Sequence, residues 1–264
     1  MLLWGTASGQ AMIAAATLLT ARQLGASAYG QYAGFVAASG MASVAFSLGL
    51  NTWLLREVAR KPRSSRDLLG SALLIETLLG LPWILAVSLL MPKLDADAFP
   101  VSLMALIALA IWLDALFMAG LSALKGLMRS GTTALSLWLS RGLRLRGVAL
   151  LAWQGHRIGV LYAGAAVVAG AVSILLIVGR PGFTIPRGWA DSLGRVGSEV
   201  APFAVSAVLI MVYMRADVTI VAITLDKQAT GLYSSASSLM SALFFIPNAI
   251  YSVAIPALVA ASHG

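Results

Sequence analysis

Apolar segments long enough to cross a lipid bilayer recur from one end of this chain to the other, and most charged residues lie in the short stretches between them. A helix needs roughly 20 apolar residues to cross the hydrocarbon layer, and about eight segments meet that length. Hydrophobic residues make up 59% of the chain and charged residues 11%. A soluble fold needs polar residues to cover its core, so this composition predicts a membrane protein of many spans.

The pattern predicts an all-α fold, a polytopic transmembrane helical bundle. We place its spans at 2–20, 33–54, 69–91, 101–123, 132–153, 158–178, 201–224 and 232–257. The start of the chain carries no basic residue ahead of its first apolar run, so that run is expected to be a retained helix and not a signal peptide.

The basic residues divide unequally between alternate loops. Those after even-numbered spans hold Arg56, Arg60, Lys61, Arg63, Arg66, Lys125, Arg129, Arg180, Arg187 and Arg195. Those after odd-numbered spans hold only Arg22, Lys93, Arg157 and Lys227. The positive-inside rule therefore predicts a cytoplasmic N-terminus for this multi-pass protein. The expected location is the inner (cytoplasmic) membrane. Loops after even spans form the predicted inner end, and loops after odd spans form the predicted outer end.

Several classes of function have no candidate residues. The net charge of +8 follows the loop pattern of a topology signal, so no nucleic-acid partner is expected. The chain has no cysteine, and its two histidines, His156 and His263, lie outside the apolar runs. We therefore expect no metal site and no cofactor. No catalytic triad, carboxylate pair or Gly-rich nucleotide motif is present, so we expect no enzyme and no catalytic residue.

A short internal repeat links the first and seventh spans. The segment 24–33 aligns with 225–234, with Leu, Ala, Gly and Tyr at the same spacing in both, and each copy lies in a predicted outer loop. Repeats in the same orientation predict two halves related by an axis along the membrane normal. We therefore predict a complete six-helix lobe over 1–180 and the first two helices of a second lobe over 201–264. Because those two helices lack the rest of a lobe, we expect them to dock loosely.

Residues 181–200 form the longest predicted inner loop. Pro181, Gly182 and Pro186 interrupt any helix at its start. Apolar residues then follow at helical spacing, namely Trp189, Leu193, Val196 and Val200. This pattern favours a cytoplasmic amphipathic helix at the membrane interface, and the alternative is an extension of the seventh span.

Motifs spread along the chain resemble the polysaccharide-type flippases of the multidrug/oligosaccharidyl-lipid/polysaccharide (MOP) superfamily. They are Leu19-Thr20-Ala21-Arg22-Gln23-Leu24-Gly25, Tyr29-Gly30-Gln31-Tyr32, Leu55-Arg56-Glu57-Val58-Ala59-Arg60, Met214-Arg215-Ala216-Asp217-Val218, Gly231-Leu232-Tyr233, Ile246-Pro247 and Ile255-Pro256-Ala257-Leu258. The resemblance implies two six-helix lobes, and flipping of a lipid-linked oligosaccharide for surface polysaccharide assembly. It implies membrane lipids as surroundings, with a polysaccharide polymerase or a chain completing the second lobe as candidate partners.

The fifth span contains three arginines, Arg141, Arg144 and Arg146. Each costs on the order of 2.5–3.5 kcal/mol at the centre of a membrane helix. They are therefore expected to face an aqueous cavity, to pair with carboxylates or to reach the interface. Arg141 and Arg144 share one helical face. With Arg215 in the seventh span, they are the candidate substrate-binding residues, because guanidinium groups bind phosphate in a bidentate manner.

Three carboxylates also lie within predicted spans, Glu76, Asp114 and Asp217. They are candidates for charge pairing with the arginines or for coupling protonation to transport. Pairs that only lock helices together are the simpler interpretation. For the function of the whole chain, three competing hypotheses stay open: a multidrug or organic-cation antiporter of the same superfamily, a membrane-embedded transferase, and a non-functional fragment. Because the arginines outnumber these carboxylates, a cavity for organic cations is disfavoured.

Overall fold

The computed structural model describes residues 2–43, 47, 49–90, 101–156, 158–178 and 189–243. Within these residues the regular structure is helical and includes no strand. The helices are α1 (Leu2–Ala42), α2 (Leu50–Arg60), α3 (Ser65–Leu90), α4 (Val101–Gly126), α5 (Ser130–Trp153), α6 (Gly159–Val178), α7 (Trp189–Thr224) and α8 (Lys227–Leu243), with a short 3-10 turn at Pro62–Ser64.

Helix α1 joins two predicted spans through the predicted outer loop. The chain stays helical from Leu2 to Ala42 except at Gly25, whose φ of 76° and ψ of 165° are not helical. Glycine adopts positive φ without the steric cost that a Cβ imposes. The second span then continues as α2, which begins after Gly49 at φ 72°. Gly25 therefore separates the first membrane crossing from the second.

An apolar core at the predicted inner end packs α2, α3, α4 and α7 together. Its buried residues are Leu50, Trp53, Leu54, Val58, Leu69, Ala72, Ile75, Ala119, Ala123, Val196 and Val200. Two of them, Val196 and Val200, come from the segment predicted to lie at the membrane interface. That segment is the start of α7 and is continuous with the seventh span, so the alternative interpretation agrees with the structure from Trp189 onward.

A second core at the predicted outer end packs α1, α3, α4 and α6. It contains Phe35, Val87, Leu103, Met104, Ile107, Ala108 and Ala163. A third cluster joins α1 to α5 and α6 through Ala16, Val148 and Tyr162. Together these contacts make α1–α6 one packed lobe, called the first lobe below.

The second-lobe helices, α7 and α8, lie against this lobe at both ends. Helix α7 contacts α1, α2 and α3, and α8 packs along α1. The expectation of loose docking is wrong for α8, because a Cβ added at Gly231 would overlap the carbonyl of Ala26 in α1. The end of the predicted eighth span lies outside the described residues.

Two helical segments of the described chain are individually long and apolar enough to cross a membrane. They are Pro62–Leu90 and Val101–Gly126, and Gly159–Leu175 and Glu199–Ile210 are shorter apolar stretches. Most residues of the two long segments are not buried inside the protein. Their apolar surface is therefore available to lipid.

Candidate functional site

Arg141 and Asp114 form an ion pair in the middle of the first lobe. Arg141 Nη1 on α5 lies 3.8 Å from Asp114 Oδ1 on α4. Both residues lie about 15–20 Å along their helices from the predicted inner end, at 1.5 Å per residue. The Arg141 side chain is 13% exposed and that of Asp114 is 45% exposed. Of the three surroundings expected for the arginines of this span, Arg141 has a carboxylate partner.

The side chain of Arg141 also lies against α1. A Cβ added at the buried Gly9 would lie 3.5 Å from Arg141 Cγ, an ordinary contact distance, so the arginine stem packs beside this position of α1. Arg141 therefore faces the first span. A planar guanidinium beside one carboxylate keeps other N–H donors available for an anion.

The other two arginines of α5 lie in different surroundings. Arg144 is partly exposed and Arg146 is exposed. Neither forms an ion pair within the described part of the chain, where the pairs are Arg141 with Asp114 and Glu57 with Arg60 and Lys61. Arg144 thus adds a cationic group one turn from Arg141, and no carboxylate of the described residues pairs with it.

Glu76 is the most deeply buried acidic residue of the described chain. It is 0% exposed on α3, and neither oxygen of its carboxylate has a hydrogen-bond partner among the described residues. Its main-chain carbonyl accepts a hydrogen bond of 3.1 Å from Trp112 Nε1. The structure does not bring Glu76 to Arg141. Of the two carboxylates Glu76 and Asp114, Asp114 is the one that pairs with Arg141.

Asp217 on α7 bonds to α8 within the second-lobe helices. Tyr233 donates its hydroxyl hydrogen to Asp217 Oδ2 over 3.1 Å. The side chain of Arg215 lies outside the described residues, so its predicted role stays a prediction. Asp217 therefore has a neutral partner and is separate from the first-lobe pair.

Two polar links at the predicted inner end were not predicted from the sequence. Trp53 Nε1 on α2 donates a hydrogen bond of 3.0 Å to Glu199 Oε2 on α7. Nearby, Glu57 accepts from Lys61 Nζ at 2.6 Å, and Arg60 Nη1 lies 3.4 Å from the same carboxylate. The hydrogen bond from Lys61 holds the pKa of Glu57 below its ordinary value, although burial opposes this shift. The spacing of Glu57 to Lys61 was the available sequence signal.

The described residues contain no candidate metal-binding site. No three side chains of His, Cys, Asp or Glu come together there to hold a metal ion. The charged groups that the structure describes in the middle of the first lobe include a buried acid without a described partner, Glu76, an ion pair, Arg141 with Asp114, and the further arginine Arg144. Such a set can attract an anion and exchange a proton.

This arrangement of apolar helices in a lobe, with two further helices docked on it, is the architecture of a polytopic membrane protein. The chain matches the model of the polysaccharide biosynthesis protein family over residues 4–262, and it belongs to that family. No curated protein sequence matches it significantly.

The fold is similar to solved transporters of the multidrug and toxin extrusion (MATE) family. An outward-facing multidrug resistance MATE transporter of the MOP superfamily has a TM-score of 0.61 at 18% identity. A MATE structure in complex with Br-NRF gives 0.57 at 16%, and one in the straight conformation gives 0.56 at 17%. Each match covers 95% of this chain but only 63%, 65% and 63% of the other chain, respectively. The likeness establishes the fold, and the chain spans less than two thirds of those transporters.

Proposed function

We propose that this protein takes part in flipping a polyprenyl-diphosphate-linked oligosaccharide across the inner membrane, by alternating access between two lobes. The observation that carries the proposal is the cationic surplus inside a bundle of the polysaccharide biosynthesis family. Arg141 is held by Asp114, and Arg144 adds a second cation one turn away. A diphosphate matches two neighbouring guanidinium groups in charge and geometry.

The proposed roles follow from where each residue lies. Arg141 and Arg144 attract the diphosphate from the first lobe, and Arg215 acts from α7. Asp114 orients the Arg141 guanidinium, and Asp217 is paired with Tyr233. The polyprenyl tail remains in the lipid while the glycan moves through water between the lobes. The N-terminus is cytoplasmic in this proposal, since the basic loops then face the cytoplasm.

The proposed coupling residue is Glu76. An unpartnered carboxylate at 0% exposure is costly to keep charged in a membrane helix, so a proton would neutralise it in this closed arrangement. The helices that share an apolar core with α3 are α1, α2, α4, α6 and α7, whose described charged side chains are Arg22, Arg56, Glu57, Arg60, Asp114, Lys125, Glu199 and Asp217. None of these forms an ion pair or hydrogen bond with Glu76.

Infrared spectroscopy tests the protonation of Glu76 without any substrate. The purified chain at neutral pH should show the carbonyl stretch of a protonated carboxylic acid, and Glu76→Gln should abolish it. Asp114→Asn is the matched control and should retain it. An unchanged band in Glu76→Gln, or no such band in the native chain, would contradict the proposal.

Ligand-induced thermal stabilisation tests the substrate class. A ligand that binds the folded chain raises its midpoint of unfolding by mass action. Polyprenyl-diphosphate oligosaccharide should stabilise the chain, and the polyprenyl alcohol should not. Arg141→Met and Arg144→Met should each reduce the shift, whereas Arg129→Gln, at an exposed inner position, should not. Stabilisation by tetraphenylphosphonium instead would favour the organic-cation antiporter.

Complementation of a flippase-deficient strain tests transport itself. We expect no rescue by the 264-residue chain alone. Rescue should require co-expression with helices that complete the second lobe, because a central passage needs walls from both lobes. Rescue by the chain alone would contradict this requirement.

A further inference from the structure

Helices α2 and α4 touch at the predicted inner end, where α4 finishes. A Cβ added at Gly126 would lie 2.9 Å from the carbonyl oxygen of Leu55 and 2.9 Å from the Cβ of Val58. Small residues let two helix backbones approach this closely. Arg56 follows Leu55 in the chain and Lys125 precedes Gly126, and both basic residues are exposed. Two cations from separate helices therefore lie beside one backbone contact.

The end of α4 presents Met128 to the surroundings. Arg129 N donates to the carbonyl of Leu124 over 3.0 Å, and Met128 N donates to the carbonyl of Lys125 over 2.9 Å. These two bonds form a Schellman motif, in which glycine usually occupies the left-handed position. Here that position is Met128, at φ 57°. Met128 is 87% exposed, so packing within the described chain does not explain a long apolar side chain at a position that favours glycine.

The cations around Met128 have no carboxylate partner. Arg56, Lys125 and Arg129 are exposed, and none of them forms an ion pair within the described part of the chain. The carboxylate of Glu57, next to Arg56, already accepts a hydrogen bond of 2.6 Å from Lys61. Three cations thus surround an exposed apolar side chain, and their charge is left for a partner outside the protein.

Apolar surface continues from this place along α5. Gly131, Leu135 and Trp138 are exposed at helical spacing, so they share one face of α5 just beyond Arg129. Leu135 and Trp138 are each 45% exposed, and no described atom lies within 4 Å of a Cβ added at Gly131. A hydrocarbon chain could lie along this face, with its polar end at the cations.

We infer that the surface formed by Leu55, Arg56, Lys125, Met128 and Arg129, called the Met128 patch below, binds one anionic glycerophospholipid. The lipid phosphate accepts hydrogen bonds from the three cations, and the start of the acyl chains covers the two apolar residues. A soluble anion would match the cations and leave the methionine in water, and a neutral lipid would do the reverse. The partner is a membrane lipid on the outer face of the bundle, so the inference goes beyond the proposed function.

Thermal unfolding in mixed micelles tests the charge of the partner. Phosphatidylglycerol should raise the unfolding midpoint more than phosphatidylcholine does. Arg56→Gln and Lys125→Gln should each weaken the apparent affinity for phosphatidylglycerol several-fold. Arg63→Gln is the matched control, because Arg63 is also exposed at the inner end but lies on the neighbouring 3-10 turn. An equal loss in Arg63→Gln would show diffuse charge attraction and overturn the inference, as would equal stabilisation by glycerol 3-phosphate.

Met128→Gly tests the apolar part of the patch separately from folding. Glycine suits the left-handed conformation, so the midpoint without added lipid should stay the same or rise. The shift caused by phosphatidylglycerol should nevertheless fall, and an unchanged shift would overturn the assignment of a lipid. Arg141→Met and Arg144→Met should retain this shift, so failure of the proposed transport site would leave the Met128 patch standing.

Fluorescence quenching locates the lipid directly. The chain has no cysteine, so a fluorophore on Ser130→Cys reports from one position beside the patch. In phosphatidylcholine vesicles, a minor fraction of brominated phosphatidylglycerol should quench it several-fold more than the same fraction of brominated phosphatidylcholine. Leu85→Cys, 62% exposed on α3, is the control and should be quenched equally by both lipids. Arg56→Gln should bring the ratio at position 130 down to that of the control. Equal quenching by the two lipids at position 130 would overturn the inference.

Discussion

The indole N–H of Trp53 donates a hydrogen bond of 3.0 Å to Glu199 Oε2, and this bond joins the first lobe to the start of α7. Trp53 is 4% exposed, and its ring is part of the inner-end apolar core that also holds Val196 and Val200. An apolar core and a hydrogen bond therefore both hold the start of α7 against the first lobe at the predicted inner end. At the opposite end, the close contact of Gly30 on α1 with Gly231 on α8 joins the first lobe to the second of the two second-lobe helices.

Replacing Trp53 by Phe removes the hydrogen bond to Glu199 but keeps an aromatic ring in the core. The loss of a bond to a charged acceptor should cost about 1.5–3 kcal/mol, with part of the cost arising from the smaller ring. Glu199→Gln keeps an acceptor at the same position and is expected to cost less. Thermal unfolding followed by far-ultraviolet circular dichroism measures both. Equal losses for the two variants would show that the charge, and not the bond, stabilises α7.

The Arg141–Asp114 pair should behave as a coupled unit in a double-mutant cycle. Asp114→Asn leaves Arg141 without its carboxylate, and Arg141→Met leaves Asp114 without its cation. The coupling free energy should be about 1 kcal/mol, because Asp114 is 45% exposed and solvent screens the pair. The measurement is the unfolding free energy of both single variants and the double variant. Purely additive losses would rule out a direct interaction.

Glu57 should make stability depend on pH at the inner end. Its folded-state pKa is lowered by the hydrogen bond from Lys61, so its contribution is present above the unfolded-state pKa. That contribution is lost as the pH falls through the folded-state pKa. Because Lys61 is 62% exposed, Glu57→Gln should cost less than about 1 kcal/mol at neutral pH. Thermal midpoints of both proteins should converge in acid, and a constant difference would exclude titration of Glu57 as the cause.

Gly80 should tolerate no side chain, because it lies against the indole of Trp112. A Cβ at Gly80 would come within 2.6 Å of Trp112 Nε1, the atom that donates to the Glu76 carbonyl. Gly80→Ala should therefore cost about 1–3 kcal/mol through overpacking. Gly164→Ala on α6 is the matched control, since no described atom lies within 4 Å of its Cβ. That control should be neutral or stabilise by up to about 1 kcal/mol through helix propensity, so equal losses at the two glycines would contradict the packing argument.

Sequence patterns placed charged residues within the spans but did not predict their pairing. Arg141 was expected to face water, pair with a carboxylate or reach the interface, because a charge inside a membrane helix needs a partner or water. Which carboxylate it meets depends on the rotation and depth of α4 and α5, and apolar length alone carries no such information. The sequence placed Glu76 within a span, whereas its burial without a hydrogen-bond partner among the described residues emerged only from the packing of α3.

The sequence by itself determined the membrane setting, the helical class and the repeat, because a bilayer requires long apolar segments whose backbone groups bond internally. Tertiary structure alone decided that Gly30 and Gly231 meet, that α1 bends at Gly25 and that α7 begins within the inner-end core. In a membrane, helices have similar apolar surfaces on every side. Their choice of neighbour is therefore set by small residues and a few polar contacts far apart in the chain, which local patterns do not reveal.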